Sequence, residues 1–325
     1  MANYDISKYI AYFNGDWVPY SEVKIDPLDR GFFLGDSVFE VERTFNGKSF
    51  KMREHIERLY RSLSFARIDP KIDAEEMINI SEETINKNLH LLDDVGDFLI
   101  HQFITRGFGR RAAAAVDPTV CVRINPIDFE RYPIEKYYSG GHCAITSILS
   151  YPNESIDPKV KNYSRMNFNL AELEANDIDE GSFPILKDQF GNITEGIGYN
   201  VFIVTDGVLR TPSDKAILQG VSRSMVFDLA ERLNIKVLQE DLQPYDVYTA
   251  DEVFMTSTPF CILPAVTLNK LKIGSGKPGK ITNLLLKKWS ENVKVDIIKQ
   301  IQGWDQQIKK SKSVTPYKFS DSNED

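Results

Sequence analysis

Apolar positions in the first part of the chain change period twice. Tyr12-Phe13, Asn14-Gly15 and Asp16-Trp17-Val18-Pro19 read as two short strands around a turn, because Asn-Gly accepts the positive φ of a tight hairpin. Residues 38–45 and Lys48-Ser49-Phe50 flank a second such pair, Asn46-Gly47, and predict a second hairpin. From Arg53 the period becomes helical, with Ile56, Leu59, Tyr60 and Leu63 on one face. Another helix is expected over Ala74–Asn88. Strand character returns at residues 97–105 and 119–124, which are expected to pair.

The second half is richer in strands joined by short turns. Residues 183–186 and 201–204 read as strands, and Asp206-Gly207 turns the latter into 208–210. Val221, Met225, Val226, Leu229, Ala230 and Leu233 share one helical face. Residues 235–238 and 252–255 are further strands. Met166, Leu170 and Leu173 have helical spacing and predict a helix just after Lys161. A chain of 325 residues exceeds the usual single core, so two domains are expected. The fold class is α+β, with a smaller N-terminal domain (1–127) and a larger C-terminal domain of mixed sheets and helices (141–298). A polar, aromatic segment containing Pro133 serves as linker (128–140). The polar residues 299–325 read as a partly disordered tail.

Composition narrows the function classes. A formal net charge of −8 argues against non-specific nucleic-acid or anionic-membrane partners, which need a basic surface. Cys121, Cys143 and Cys261 are scattered, with no Cys-x-x-Cys, so neither a disulfide framework nor a metal knuckle is expected. The first thirty residues carry Asp5, Lys8, Asp16 and Glu22 and have no apolar core, so no signal peptide is read there. No apolar run approaches the roughly eighteen residues of a membrane span. A cytoplasmic setting is expected. Gly274-Ser-Gly-Lys-Pro-Gly279-Lys280 imitates a phosphate-binding loop, but Ile281 stands where Ser or Thr must meet Mg²⁺, and Pro278 removes an N–H. It reads as a surface turn.

Three separated segments carry the candidate chemistry. Lys161 lies past Asp157-Pro158 and ahead of the helical spacing, so it is expected to project from a helix entrance; Lys159 is an equal candidate on composition. A lysine amine acts as a nucleophile only when its surroundings lower its pKa, and it can then condense with an aldehyde. Glu195, between Thr194 and Gly196 with Gly198 beyond, sits in a Gly-flanked turn that could bring a carboxylate to a ligand. Gly220-Val221-Ser222 opens an amphipathic helix whose N–H groups suit a phosphate; Ser222 is alternatively an ordinary N-cap. Arg58 adds a fixed cation. Together they suggest pyridoxal 5'-phosphate (PLP), whose ring nitrogen needs a carboxylate to stay protonated.

The chain resembles the class IV aminotransferases, the branched-chain and D-amino acid transaminase superfamily, over roughly residues 10–290. The resemblance rests on Val23 to Glu40, His55-Ile-Glu-Arg58-Leu, Lys161 to Ala175, Thr194 to Phe202, Leu218-Gln-Gly-Val-Ser-Arg223 and Asp251 to Thr258, in that order. It implies a two-domain fold type IV homodimer with PLP between the domains. Lys161 would form the Schiff base and shuttle the proton, and Glu195 would pair with the pyridinium. Arg58, Val221, Ser222 and Thr258 would hold the phosphate. The resemblance would also put Gly198 in the cofactor cup and Arg165 near the cofactor's phenolic oxygen.

The substrate end departs from the resemblance. Pro259 has no N–H to offer a carboxylate where branched-chain enzymes use backbone donors, and Phe260 is bulkier than their small residue. Arg111 matches the carboxylate-trapping arginine of D-amino acid transaminases, but Ala113 replaces their histidine, and Phe39 stands where a tyrosine would sit. Arg111 is therefore either the trap or part of a solvated basic loop, and His101 faces either the cleft or the core. The leading expectation is transfer of an amino group from a branched-chain or other apolar amino acid to a 2-oxo acid such as 2-oxoglutarate. D-amino acid or (R)-amine transamination, an aminodeoxychorismate-type PLP lyase and a cofactor-less binding protein are the alternatives. No metal is expected.

Overall fold

The computed structural model describes residues 8–127 and 134–307. The N-terminal part forms a six-stranded antiparallel sheet from β1 (Ile10–Phe13), β2 (Asp16–Pro19), β3 (Ser37–Phe45), β4 (Lys48–Ser49), β5 (Phe98–Thr105) and β6 (Val120–Pro126). Their order is β2-β1-β6-β5-β3-β4. Both hairpins form as the Asn-Gly pairs demand, with Asn14 at φ 51° and Asn46 at φ 50°. A short helix α1 (Arg30–Leu34) precedes β3.

Helices α2 (Met52–Ala66) and α3 (Ala74–Asn88), followed by a short α4 (Leu92–Val95), lie between β4 and β5. The first two close one face of the sheet. Ile56, Leu59, Leu63, Met77 and Ile85 pack there against Val38, Ile100, Ile104, Val122 and Ile124. Strand alternation then sends Phe39, Val41 and Arg43 to the other face.

The C-terminal part is a nine-stranded mixed sheet. Its strands are β7 (Gly141–Leu149), β8 (Phe183–Lys187), β9 (Glu195–Gly196), β10 (Tyr199–Thr205), β11 (Val208–Pro212), β12 (Val237–Glu240), β13 (Glu252–Ser257), β14 (Cys261–Leu268) and β15 (Leu271–Lys272). The main path runs β12-β11-β10-β13-β14-β7-β8, with β9 on β10 and β15 on β14. Six helices accompany it: α5 (Glu135–Ser139), α6 (Met166–Ile178), α7 (Val221–Arg232), α8 (Pro244–Tyr248), α9 (Lys280–Val293) and α10 (Ile297–Gln307). Met225, Val226, Leu229, Phe202, Phe254 and Trp289 belong to its core. Among the described residues, no helix is long and apolar enough to cross a membrane.

The structure corrects several expectations. Met166, Leu170 and Leu173 do lie on a helix, but they are exposed; α6 buries Ala171 and Ala175 instead. Small residues there let the helix sit close to β7 and β8, so apolar spacing alone selects the wrong face. Strands β7 and β14 are central to the sheet yet lack the alternation that marks a half-exposed strand. Part of the expected linker, residues 128–133, lies outside the described residues, while 135–139 form α5. The expected tail begins as helix α10, with Ile297 and Ile301 fully buried; residues 308–325 lie outside the described residues. The phosphate-loop imitation is a turn, with Gly274 and Gly276 at positive φ. The helix after it is already satisfied, because the Glu252 carboxylate accepts from Ile281 N and Thr282 N at 3.0 and 2.9 Å.

Candidate active site

Lys161 is not at a helix entrance. Its segment runs alongside β3, where Phe39 N donates to Lys161 O at 3.0 Å and Val38 bridges Asn162. Lys161 N donates to Ser62 Oγ of α2 at 3.2 Å. Helix α6 starts only at Met166. The lysine is thus fixed by the N-terminal sheet and its helix, and its Nζ lies 4.5 Å from the centre of the Phe39 ring. Burial pushes its amine down to about 7; Glu40 opposes the shift and Arg58 and Arg165 reinforce it. Lys159 is different. It is half-exposed, with its ammonium 3.7 Å from Asp157. Of the two, Lys161 lines the cleft.

Glu195 faces the same cleft from β9. Its Oε2 accepts from Asn200 Nδ2 and Leu218 N, each at 3.1 Å. Burial raises its carboxyl to about 7, even though the Leu218 N–H and the charges of Arg165, Lys161 and Arg58 pull the other way. Two glycines permit this geometry. A Cβ at Gly196 would fall 2.0 Å from the Tyr199 ring, and Gly198 turns the chain at φ +78°.

Helix α7 opens onto the cleft with Gly220 as N-cap and no side chain capping it. Ser222 is the second residue of the helix, so the N-cap reading of it is wrong. Val221 and Ser222 both line the cleft. Free N–H groups and the positive end of a helix dipole make a ready anion site. Gly220 is required by a close approach, since its Cβ would lie 2.1 Å from Asn200 Oδ1. The same asparagine therefore spaces the helix end and holds Glu195.

Arg58 reaches the cleft from α2. Its Nε and Nη2 donate to Glu40 Oε2 and Oε1 at 2.8 and 2.6 Å, and Nη1 donates to Gln219 O at 2.8 Å. His55 Nδ1 lies 3.1 Å from the same carboxylate. Burial alone would raise the Glu40 carboxyl, but Arg58 and His55 hold it far below the usual range. Sequence reading did not single out Glu40 as a site residue. Its signal is a carboxylate on the face of β3 that the alternation turns toward α2.

The remaining predicted residues divide. Arg165 and Thr258 line the cleft, with Thr258 Oγ1 donating to Val41 O at 3.3 Å and the Arg165 guanidinium 4.3 Å from the Phe168 ring centre. The Pro259 carbonyl accepts from Nη1 of the buried Arg43 at 2.9 Å, and Pro259 does not line the cleft. The Phe260 side chain is fully buried beside Tyr199 and does not line the cleft. Arg111 lies in the exposed 107–116 loop and does not line this chain's cleft. Arg106 of that basic stretch is structural, bonding Asp36, Ala66 O and Arg67 O. His101 lies behind Phe39, between Arg123 Nη2 at 2.9 Å and Tyr163 Oη.

A buried amine near neutrality, a buried carboxyl raised to about 7 and an uncapped helix end now line one cleft. The family model for amino-transferase class IV matches residues 37–268. The chain belongs to the class IV aminotransferases.

A Methanocaldococcus jannaschii protein, whose name assigns it provisionally to the branched-chain-amino-acid aminotransferases, is 36% identical over 286 residues. That match covers 86% of this chain and 95% of the relative. A Bacillus licheniformis D-alanine aminotransferase is 28% identical over 83% of this chain and 92% of its own. Among solved structures, the Escherichia coli branched-chain amino acid aminotransferase superposes with a TM-score of 0.80. It is 26% identical and covers 87% of this chain and 94% of its own. The branched-chain aminotransferase of Thermoproteus uzoniensis, solved with norvaline, gives 0.74 at 25% identity, over 91% and 97%.

This aminotransferase is PLP-dependent, as its family is, and the fold is fold type IV. The residues fit the cofactor. A buried carboxyl raised to about 7 by burial is what a protonated ring nitrogen would relieve. An uncapped helix end with a glycine at its closest approach suits a phosphate.

Proposed function

We propose that this aminotransferase takes the amino group from a branched-chain or other apolar L-amino acid and delivers it to a 2-oxo acid such as 2-oxoglutarate. The observation that carries the reading is the wall beside the reacting amine. Lys161 Nζ faces the Phe39 ring, which is backed by Tyr163 at 4.1 Å, so the nearest surface is aromatic and suits an apolar side chain. The names of the Methanocaldococcus, Escherichia coli and Thermoproteus proteins support the same substrate class.

PLP, when bound, supplies an electron sink for the carbanion at the substrate's α-carbon. Each residue then has a defined task. Lys161 would anchor the cofactor, and its neutral amine would move the proton at that carbon. Glu195 keeps the ring nitrogen protonated, and Asn200 and Leu218 N hold Glu195 in place. Arg58, Ser222, Thr258 and the Val221 N–H, which line the cleft together, would hold the phosphate. Arg165 and Gly198 complete the cup.

We place the cleft between an N-terminal domain of residues 1–127 and a C-terminal domain of 141–298. The working unit is a homodimer. Leu28, Phe32 and Phe33 are about seven-tenths exposed in the single chain, and Met166, Leu170 and Leu173 are also open. Apolar surface of that kind favours a self-complementary contact. A cytoplasmic setting agrees with three free, buried cysteines.

The test is a donor panel on the purified holoenzyme, reading loss of the near-visible cofactor band. L-Leucine should bleach it and 2-oxoglutarate restore it. Bleaching by D-alanine or an (R)-amine alone would overturn the substrate class, and pyruvate release from aminodeoxychorismate would make the enzyme a lyase.

A further inference from the structure

We propose that Arg43 is a positioning residue for the phosphate end of the site: it clamps the turn that carries Thr258, and Gln300 of helix α10 holds the clamp. The inference rests on the phosphate role given to Thr258 above and deepens it.

Strand β3 touches the site at three residues spaced two apart. Phe39 N donates to Lys161 O at 3.0 Å, and Val41 O accepts from Thr258 Oγ1 at 3.3 Å. Arg43 Nη1 then donates to Pro259 O at 2.9 Å. One strand of the N-terminal sheet therefore spaces the reacting lysine from a turn of the C-terminal sheet. Thr256, Ser257 and Thr258, at the start of that turn, line the cleft with Arg58 and Lys161.

The turn needs holding. Ser257 pairs with Cys261 across the β13–β14 hairpin, so Thr258, Pro259 and Phe260 form a three-residue loop. Cys261 closes it at φ 61°, where a side chain is disfavoured and glycine is usual. Three successive carbonyls are each fixed by a side chain. Pro259 O accepts from Arg43, Phe260 O from Tyr137 Oη at 2.9 Å, and Cys261 O from Thr256 Oγ1 at 2.7 Å. Of the three donors, Arg43 comes from the N-terminal sheet.

The bonding of Arg43 is not that of an arginine kept for an ion pair. It is buried, and its nearest contact with Asp97 is 4.0 Å, beyond hydrogen-bond length. Asp97 is occupied by Thr44 Oγ1, Asn46 N, Gly47 N and Gln300 Nε2. The shortest bond of Arg43 goes to Pro259 O, with Nε on Thr44 O at 3.1 Å and Nη1 also 3.5 Å from Cys261 Sγ. A charged donor strengthens the bond to the turn. Gln300 sits between the two charges: its Oε1 accepts from Arg43 Nη2 at 3.3 Å, and its Nε2 donates to Asp97 at 2.7 Å. The guanidinium is thereby aimed from behind by α10, and the turn is ordered before a phosphate arrives.

The experiment titrates the full-length enzyme, freed of cofactor, with PLP and with pyridoxal, reading the near-visible band. Pyridoxal lacks the phosphate, so a change acting through Thr258 should weaken PLP and spare pyridoxal. Arg43→Met should lower PLP affinity about tenfold and pyridoxal affinity by no more than about twofold. Arg43→Lys, which can still donate to Pro259 O, should recover most of the loss. Gln300→Leu, on a partly exposed residue, should lower PLP affinity about threefold with the same selectivity. Arg43→Met with Thr258→Ala should be no worse than the more damaging single change, because both act on one contact. If Arg43→Met loses the wild-type circular dichroism, Arg43→Lys and Gln300→Leu decide by the same selectivity.

Equal losses for PLP and pyridoxal would make Arg43 a structural tie only and overturn the proposal, as would unchanged PLP affinity in Arg43→Met. Unchanged PLP affinity in Gln300→Leu overturns the part given to α10. Thr258→Ala with no PLP-selective loss would instead sink the phosphate role of Thr258 itself, which separates the two failures.

Discussion

Both nitrogens on one edge of the Arg58 guanidinium are held by both oxygens of Glu40, at 2.6 and 2.8 Å, and the pair is buried. The arginine is thereby aimed before any phosphate arrives, with its remaining Nη1 on Gln219 O beside the α7 entrance. Such preorganisation reduces the ordering cost of binding.

Removing the carboxylate charge should therefore show twice. Glu40→Gln leaves a buried cation without its counter-ion, a change that costs about 3–5 kcal/mol in other buried pairs. A bound phosphate supplies part of what was lost. Thermal unfolding of the apo and holo forms should show a lower apo Tm and a wider holo-minus-apo gap than wild type. An unchanged apo Tm would remove Glu40 from this role.

Glu40 and its neighbour Glu42 should titrate in opposite senses. The Glu40 carboxyl is held below its unfolded value, so its contribution is present above about pH 4.5 and lost as pH falls. Glu42 is raised well above that value, chiefly by burial with Glu40 and Glu82 adding, against a bond from Gln102. Its contribution is full below about 4.5 and is lost as pH rises toward the raised value. Glu42→Gln should gain stability relative to wild type as pH goes from about 5 to 8, by no more than about 1.4 kcal/mol per unit. Denaturant unfolding at several pH values checks this; a constant difference would contradict it.

How much of this was legible depends on the interaction. Both Asn-Gly hairpins, α2, α3 and α7 follow from local turn chemistry and period, and they form as read. Lys161 was legible as a reactive lysine only through its company. Its docking on β3 was not, because a bridge between Val38 and Asn162 spans most of the N-terminal half and leaves no local pattern. The exposed stripe Met166, Leu170, Leu173 misled because period reports amphipathicity and not which side is covered. Glu40, Asn200 and Arg123 escaped notice for a related reason. Glu40 and Arg123 act through Arg58 and His101, on other elements, and Asn200 reaches back across the β9–β10 turn to Glu195, so only the folded register brings each pair together.

The space at Gly220 yields a sharper prediction. A methyl there would lie 2.1 Å from Asn200 Oδ1, so either the helix end or the asparagine must move. Gly220→Ala should weaken PLP binding about tenfold or more while leaving the backbone unstrained, since its φ is −64°. Titration of the apoenzyme with PLP measures it. Wild-type affinity would show that the helix end can shift freely.

The lysine's own titration is also exposed to test. With its amine near 7 in the cofactor-free chain, capture of PLP requires the neutral form. The capture rate should fall about tenfold per pH unit below 7 and level off above it. Stopped-flow growth of the near-visible band gives the profile. A midpoint near 10 would mean a solvated lysine.

The most direct measurement is the half-reaction of Lys161→Ala beside wild type. Wild type should bind PLP with a near-visible band that L-leucine bleaches and 2-oxoglutarate restores. Lys161→Ala should keep the far-ultraviolet circular dichroism of the wild type, show no such band, and release no 2-oxo acid from leucine. A band and normal turnover in Lys161→Ala would contradict the account and move the chemistry to another lysine.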